Sequence, residues 1–163
     1  MLRVDIRDLD RGPVDTDALL PAADPLFEGL GLTLVEPVDV TGRLQATADG
    51  EYLWRGHIRT TVAAECRRCL TPVRRPVDAG ADVLFSSDPD AADDPSVYAL
   101  AETATAVDVG EAVREELALA ADPYVLCRED CAGLCPRCGA DLNAGACHCA
   151  APAEPVRGPN GGT

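Results

Sequence analysis

Three features of the sequence predict an α+β fold. Period-two alternation recurs between residues 38 and 85, a single run of helical periodicity lies between 109 and 120, and eight cysteines fall in four close pairs. The alternation predicts an antiparallel β-sheet with one buried face, the helical run a helix packed on it, and the cysteines a C-terminal extension held by something other than apolar burial.

The segment from Arg3 to Asp10 reads as a short strand closed by the turn chemistry of Arg11-Gly12-Pro13. Asp24-Pro25 to Gly31 leaves room for one short helix. From Leu32 onward, Val38, Val40, Leu44 and Ala46 fall on one face, Gly42 marks a bulge or bend, and Ala48-Asp49-Gly50 reads as a hairpin turn. The next run carries the strongest pattern. Tyr52, Trp54, Ile58, Val62 and Ala64 share one face, while Arg55, His57, Arg59 and Glu65 share the other. It leads into Cys66. After the Thr71-Pro72 turn and Pro76, the set Val77, Ala79, Ala81, Val83 and Phe85 alternates again.

Asp88, Asp90, Asp93 and Asp94, spaced by Pro89 and Pro95, form a solvated acidic loop near 88–95. Beyond it Asp108 can cap a helix with Glu111 at the third position, a capping box. Val109, Ala112, Val113, Leu117 and Ala120 then make an apolar stripe for the core, and Asp122-Pro123 ends the helix. The expected division is a sheet domain over 1–125, a cysteine-rich segment over 126–150 and a Pro/Gly-rich disordered tail over 151–163.

Charge narrows the function classes. Arginine supplies all 14 basic residues against 28 acidic ones, for a net charge of −14. A protein that grips phosphates by counterion release needs a basic stripe, so direct nucleic-acid binding starts disfavoured. An acidic surface repels anionic membranes and attracts basic proteins. The opening residues Met1 to Asp8 show no apolar leader, and no window approaches the ~20 apolar residues of a membrane span, so the expected location is the cytoplasm. Cysteines in that reducing compartment are metal ligands more readily than disulfides.

The pairs are Cys66-x2-Cys69, Cys127-x3-Cys131, Cys135-x2-Cys138 and Cys147-x-Cys149. One turn aims two sulfurs at one ion and a tetrahedral zinc needs two such pairs, so four pairs match two four-thiolate zinc sites. Cys135-Pro136-Arg137-Cys138-Gly139 looks like a zinc knuckle, and Cys147 with Cys149 lies near enough in sequence to complete it. That leaves Cys66, Cys69, Cys127 and Cys131 as the second set. His148, flanked by ligands on both sides, is expected to point away, and His57 belongs to the polar face of its strand.

Neither a serine, acid and histidine arrangement nor a glycine-rich phosphate loop is present, and sites filled by four thiolates keep no open position, so no enzyme is expected. Arg67 and Arg68 beside Cys66 and Cys69 would suit a thiol redox pair, but Pro72 and Pro76 forbid the helix such a motif starts. The one local basic cluster joins Arg67, Arg68, Arg74 and Arg75 to Arg55 and Arg59 on the preceding strand. It is the candidate surface for RNA or another partner.

Three stretches together resemble one known family: Val4-Asp5-Ile6-Arg7-Asp8-Leu9, Glu65-Cys66-Arg67-Arg68-Cys69-Leu70, and the run Cys127-Arg128-Glu129-Asp130-Cys131-Ala132-Gly133-Leu134-Cys135-Pro136-Arg137-Cys138-Gly139-Ala140-Asp141-Leu142-Asn143. The chain resembles the YceD family, also described as large ribosomal RNA subunit accumulation proteins. Only the closing segment from Glu154 to Thr163 resembles it faintly. The resemblance implies a role in accumulation of large-subunit ribosomal RNA, and its members are often encoded beside a small basic ribosomal protein of that subunit. The expectation is a non-catalytic factor acting on the large-subunit precursor, through a basic ribosomal protein. A zinc-dependent rRNA-binding module is the second reading and a thiol redox protein the third.

Overall fold

The computed structural model describes residues 1–149, so the tail expected over 151–163 lies outside the described residues. In chain order the elements are β1 (Arg3–Asp5), α1 (Ile6–Leu9), β2 (Val14–Asp15), β3 (Ala18–Leu20), β4 (Thr33–Leu34), β5 (Val38–Ala48), β6 (Glu51–Glu65), β7 (Pro72–Ser86), β8 (Val97–Ala99), β9 (Ala106–Asp108) and α2 (Gly110–Ala120). Short 3-10 turns occur at Pro25–Phe27 and Pro89–Asp93.

The long alternating runs become β5, β6 and β7, an antiparallel meander at the centre of one sheet. Strand order is β2-β5-β6-β7-β8, with β3 also beside β5 and β4 beside β6. Among the described residues only β8 joins in parallel, along Leu84 to Ser86 of β7. Over its first part β7 is therefore an edge within this sheet, which is where a strand tolerates Pro76. β1 and β9 form a separate antiparallel ribbon that leads the chain into α2.

One face of the meander is the core. Val38, Val40 and Leu44 of β5, Trp54, Ile58 and Val62 of β6, and the alternating set from Val77 to Phe85 of β7 are buried with Val113 and Leu117 of α2. Each such aliphatic side chain contributes about 1.5–3 kcal/mol when fully buried, which is how a chain short of aromatics builds a core. Trp54 is the largest member. Its ring lies over Gly56, where an added Cβ would meet Cζ2 at 2.2 Å, and over Gly42, where one would meet Nε1 at 2.6 Å. Nε1 donates to Thr16 Oγ1 at 2.8 Å, so the buried indole N–H is satisfied.

Local expectations are corrected in four places. Gly42 is no bulge: it pairs in register with Gly56, and the irregularity falls between Ala46 and Ala48. Ala46 itself is exposed, as is Ala120. The first strand stops at Asp5, because the Asp5 carboxylate accepts from the Arg7 amide and caps α1. Finally, Asp108 belongs to β9 and accepts from the Gly110 amide, while Val109 holds the N-cap position without a side-chain bond, so no capping box forms.

Candidate metal centres

β6 ends at Glu65 and β7 begins at Pro72, so Cys66 and Cys69 stand at the tip of a long hairpin. The chain returns to this tip after α2. There Arg67 donates its amide to the Val125 carbonyl (2.9 Å), and Leu134 donates to the Arg68 carbonyl (3.0 Å). Arg68 adds a side-chain bond to the Cys131 carbonyl at 2.8 Å, and Arg75 donates to the carbonyl of Leu126. These bonds bring Cys127 and Cys131 over the hairpin.

All eight cysteines are free thiols, and their sulfurs form two groups of four, each with every sulfur within 4.8 Å of the others. The first is Cys66, Cys69, Cys127 and Cys131; the second is Cys135, Cys138, Cys147 and Cys149. In the first, Cys66 Sγ lies 3.7 Å from Cys131 Sγ and Cys69 Sγ 3.6 Å from Cys127 Sγ. Four sulfurs at ~2.3 Å from a tetrahedral ion stand about 3.8 Å apart, so the spacing fits an ion of that bond length at the centre. His148 is in neither group.

The thiols of each group are electrostatically unequal. Burial opposes ionisation of Cys66, yet the amides of Cys127, Cys69 and Arg68 turned toward its sulfur outweigh burial and bring it down to about 6. Burial and the neighbouring thiols of Cys69, Cys131 and Cys66 push Cys127 up to about 12. In the second group the amides of Cys138 and Arg137 lower Cys135 to about 7, while contact with Cys138 and then burial raise Cys149 to about 11. Sulfurs this close cannot all carry charge unaided, and a divalent cation removes the conflict.

Both sites are opened by the same turn. Cys135 donates its amide to the Ala140 carbonyl, and Gly139 donates to the Cys135 carbonyl. In the hairpin Cys66 donates to Thr71, and Leu70 to Cys66, at the same spacings. Gly139 has φ +72° and Leu70 has φ +60°. The hairpin is therefore a second knuckle with leucine in the left-handed position, a placement that costs about 1–2 kcal/mol for a residue with a Cβ.

Supporting residues beyond the cysteines carry no motif of their own. Thr71, through its hydroxyl and then its amide, holds Cys69 below the ordinary thiol range. Asn143 lies between the sites: its Oδ1 accepts from the Ala132 amide at 2.8 Å and from Arg128 at 2.9 Å, and its Nδ2 is 3.5 Å from Cys131 Sγ. Bonds of this kind, made to a sulfur and to the chain around it, orient a ligand. An asparagine in the stretch between Cys138 and Cys147 carries no signal in the sequence beyond its place in the Cys127–Asn143 run.

The six arginines are divided between two tasks. Arg55, Arg59 and Arg74 pair with Asp82, Asp78 and Glu36 on the open face of the sheet, where His57 Nε2 also faces Asp78. Arg68 and Arg75 bond carbonyls of the returning chain, and Arg67 stacks over Tyr124 at 5.3 Å from the ring centroid.

The family model described as "Large ribosomal RNA subunit accumulation protein YceD" matches residues 54–157. An uncharacterized protein of Mycobacterium tuberculosis (strain H37Rv) is 32% identical over 159 residues, covering 86% of this chain and 70% of its own length. An uncharacterized protein of Mycobacterium leprae (strain TN) is 27% identical over 146 residues, covering 85% of this chain and 66% of its own. No solved structure matches the chain.

Proposed function

As the chain belongs to the YceD family of large ribosomal RNA subunit accumulation proteins, we propose that it is a non-catalytic, zinc-stabilised cytoplasmic factor that meets the ribosome precursor through a basic ribosomal protein. The family's name supports a role in accumulation of large-subunit ribosomal RNA. Charge and the disposition of the arginines support the choice of partner.

Zinc is the ion that four thiolates at tetrahedral spacing suit best, with Cys66, Cys69, Cys127 and Cys131 holding one and Cys135, Cys138, Cys147 and Cys149 the other. Bound there it supplies cross-links. The first joins residues 126–150 to the sheet body of 1–125, and the second organises that segment internally. No helix among the described residues is long and apolar enough to cross a membrane, in keeping with a partner met away from the bilayer.

One observation carries the preference for protein over naked RNA: the arginines that would make a phosphate-binding patch are already engaged. Three stand opposite carboxylates and three hold the returning chain. Each four-thiolate site with a divalent ion adds about −2 to a chain already at −14. Surface ion pairs are individually weak, so the arginines are not locked, but their carboxylates remain beside them and oppose a phosphate.

A salt-series titration separates the two partners. The zinc-loaded protein is expected to bind one or more purified basic large-subunit ribosomal proteins, with little affinity for free ribosomal RNA fragments. Tight RNA binding that weakens steeply with salt, and is lost when Arg55, Arg59, Arg67, Arg68, Arg74 and Arg75 become alanine, would establish the rRNA-binding reading instead.

A further inference from the structure

Between the end of α2, β4, the end of β6 and the first knuckle runs an open groove of about 770 Å³. Leu32, Val62, Leu70 and Leu119 contribute to its lining, and Glu65 and Asp122 add acidic groups. Few large apolar side chains are exposed among the described residues, yet Leu70 is 57% exposed, Leu119 80% and Tyr124 70%. The first two line the groove, and Tyr124 lies under Arg67 beside it. An apolar cluster of this kind beside polar residues is the usual form of a protein-binding surface.

Leu70 is the informative member. Its backbone is held in the left-handed region, where the matching position of the other knuckle is Gly139. The knuckle needs that conformation, and glycine would adopt it without strain. Leucine's bulk adds little to the core, since most of the side chain faces solvent. A strained residue whose side chain the fold does not use points to a use outside the fold.

The charge around the groove selects the occupant. Glu65 and Asp122 are joined by the carbonyl end of α2, whose last turn carries no basic residue to offset its partial negative charge. Among the described residues Arg67 is the one cation of the lining, and it is stacked on Tyr124. We propose that the groove is the docking site for an amphipathic basic segment of the partner protein, its apolar side chains against Leu70 and Leu119 and its Lys or Arg side chains toward Glu65, Asp122 and the end of α2. This inference rests on the basic-partner reading above and locates the contact.

The test compares the full-length zinc-loaded wild type with Leu70→Gly, Leu119→Ser, their combination and Asp122→Asn. Each is titrated with purified basic large-subunit ribosomal proteins one at a time, and each is unfolded in urea. Leu70→Gly is expected to unfold no earlier than the wild type, because glycine suits the backbone, yet to bind about tenfold more weakly, the loss of one central anchor. Leu119→Ser deepens that loss, and Asp122→Asn weakens binding at low salt and flattens its salt dependence. A double variant that binds a basic protein as tightly as the wild type overturns the groove while leaving the basic partner standing. A wild type that binds RNA fragments and no basic protein overturns both. Wild-type dimers seen by light scattering and dissolved by Leu70→Gly would make a second copy of this chain the occupant, and overturn the proposal as well.

Discussion

Cys66→Ser is expected to lower bound zinc from two ions per chain to one and to release the returning chain from the hairpin. Cys66 is fully buried at the tip between β6 and β7, and its sulfur receives the amides of Cys127, Cys69 and Arg68. Serine keeps the volume but offers a hydroxyl that stays protonated, so the ion loses a ligand and the remaining thiols lose the charge that lets them approach. Structural zinc supplies of order 10 kcal/mol in small modules, against which the few bonds from Arg67, Arg68 and Leu134 cannot hold the segment. Amide exchange checks this locally. Protection is expected to fall at Arg67 and Leu134, whose amides bond across the junction, and to persist along β5, β6 and most of β7, whose core does not include the thiols.

Cys138→Ser is expected to do the converse. The second site has scarcely any apolar support: Cys138 is exposed, and Cys147 and Cys149 are only half-buried. Residues 135–149 are therefore expected to depend on a bound ion for order, and the amide bonds of Cys135 and Gly139 should exchange freely once it is gone. The first ion remains, with a limited loosening around Cys131, because Asn143 no longer brings its side chain to that sulfur. Identical exchange maps for Cys66→Ser and Cys138→Ser would mean that the eight thiols act as one cluster rather than as two sites.

The parts of this architecture that depend on side-chain period were legible in the sequence. Val38 and Val40, Trp54 and Ile58, and Val77 to Phe85 announce the buried face because burial of every second residue is what a one-sided sheet requires. Spacing likewise showed four close pairs, and the nearness of Cys147 and Cys149 to Cys135 and Cys138 grouped those four, whereas the meeting of Cys66 and Cys69 with Cys127 and Cys131 joins segments far apart in the chain and followed only by elimination. What stayed hidden depends on atoms distant in sequence. Gly42 read as a bend because nothing nearby in the chain shows that the Trp54 ring needs its missing Cβ. Asp108 read as a cap because its partner Arg3, whose pairing makes it a strand residue, lies about a hundred residues away in the sequence. The arginines looked like a patch because sequence shows their number, while the carboxylates that face three of them, Asp78 and Asp82 of β7 and Glu36 of the loop before β5, come from distant positions in the chain.

Leu70 shows the same limit in a more useful way. Cys66-x2-Cys69-Leu70 is visible as a close pair, but only the shared hydrogen-bond pattern reveals it as the counterpart of Cys135-x2-Cys138-Gly139. That equivalence makes the leucine anomalous.

Metal content of the intact chain decides whether the eight thiols hold two ions. Native mass spectrometry of protein purified under reducing, oxygen-free conditions, with elemental analysis to identify the ion, should find two zinc ions per chain and no thiol left for alkylation until a chelator removes them. A reproducible content of one ion, with Cys66 and Cys69 alkylated in the native protein, would contradict a metal link between the sheet and the returning chain.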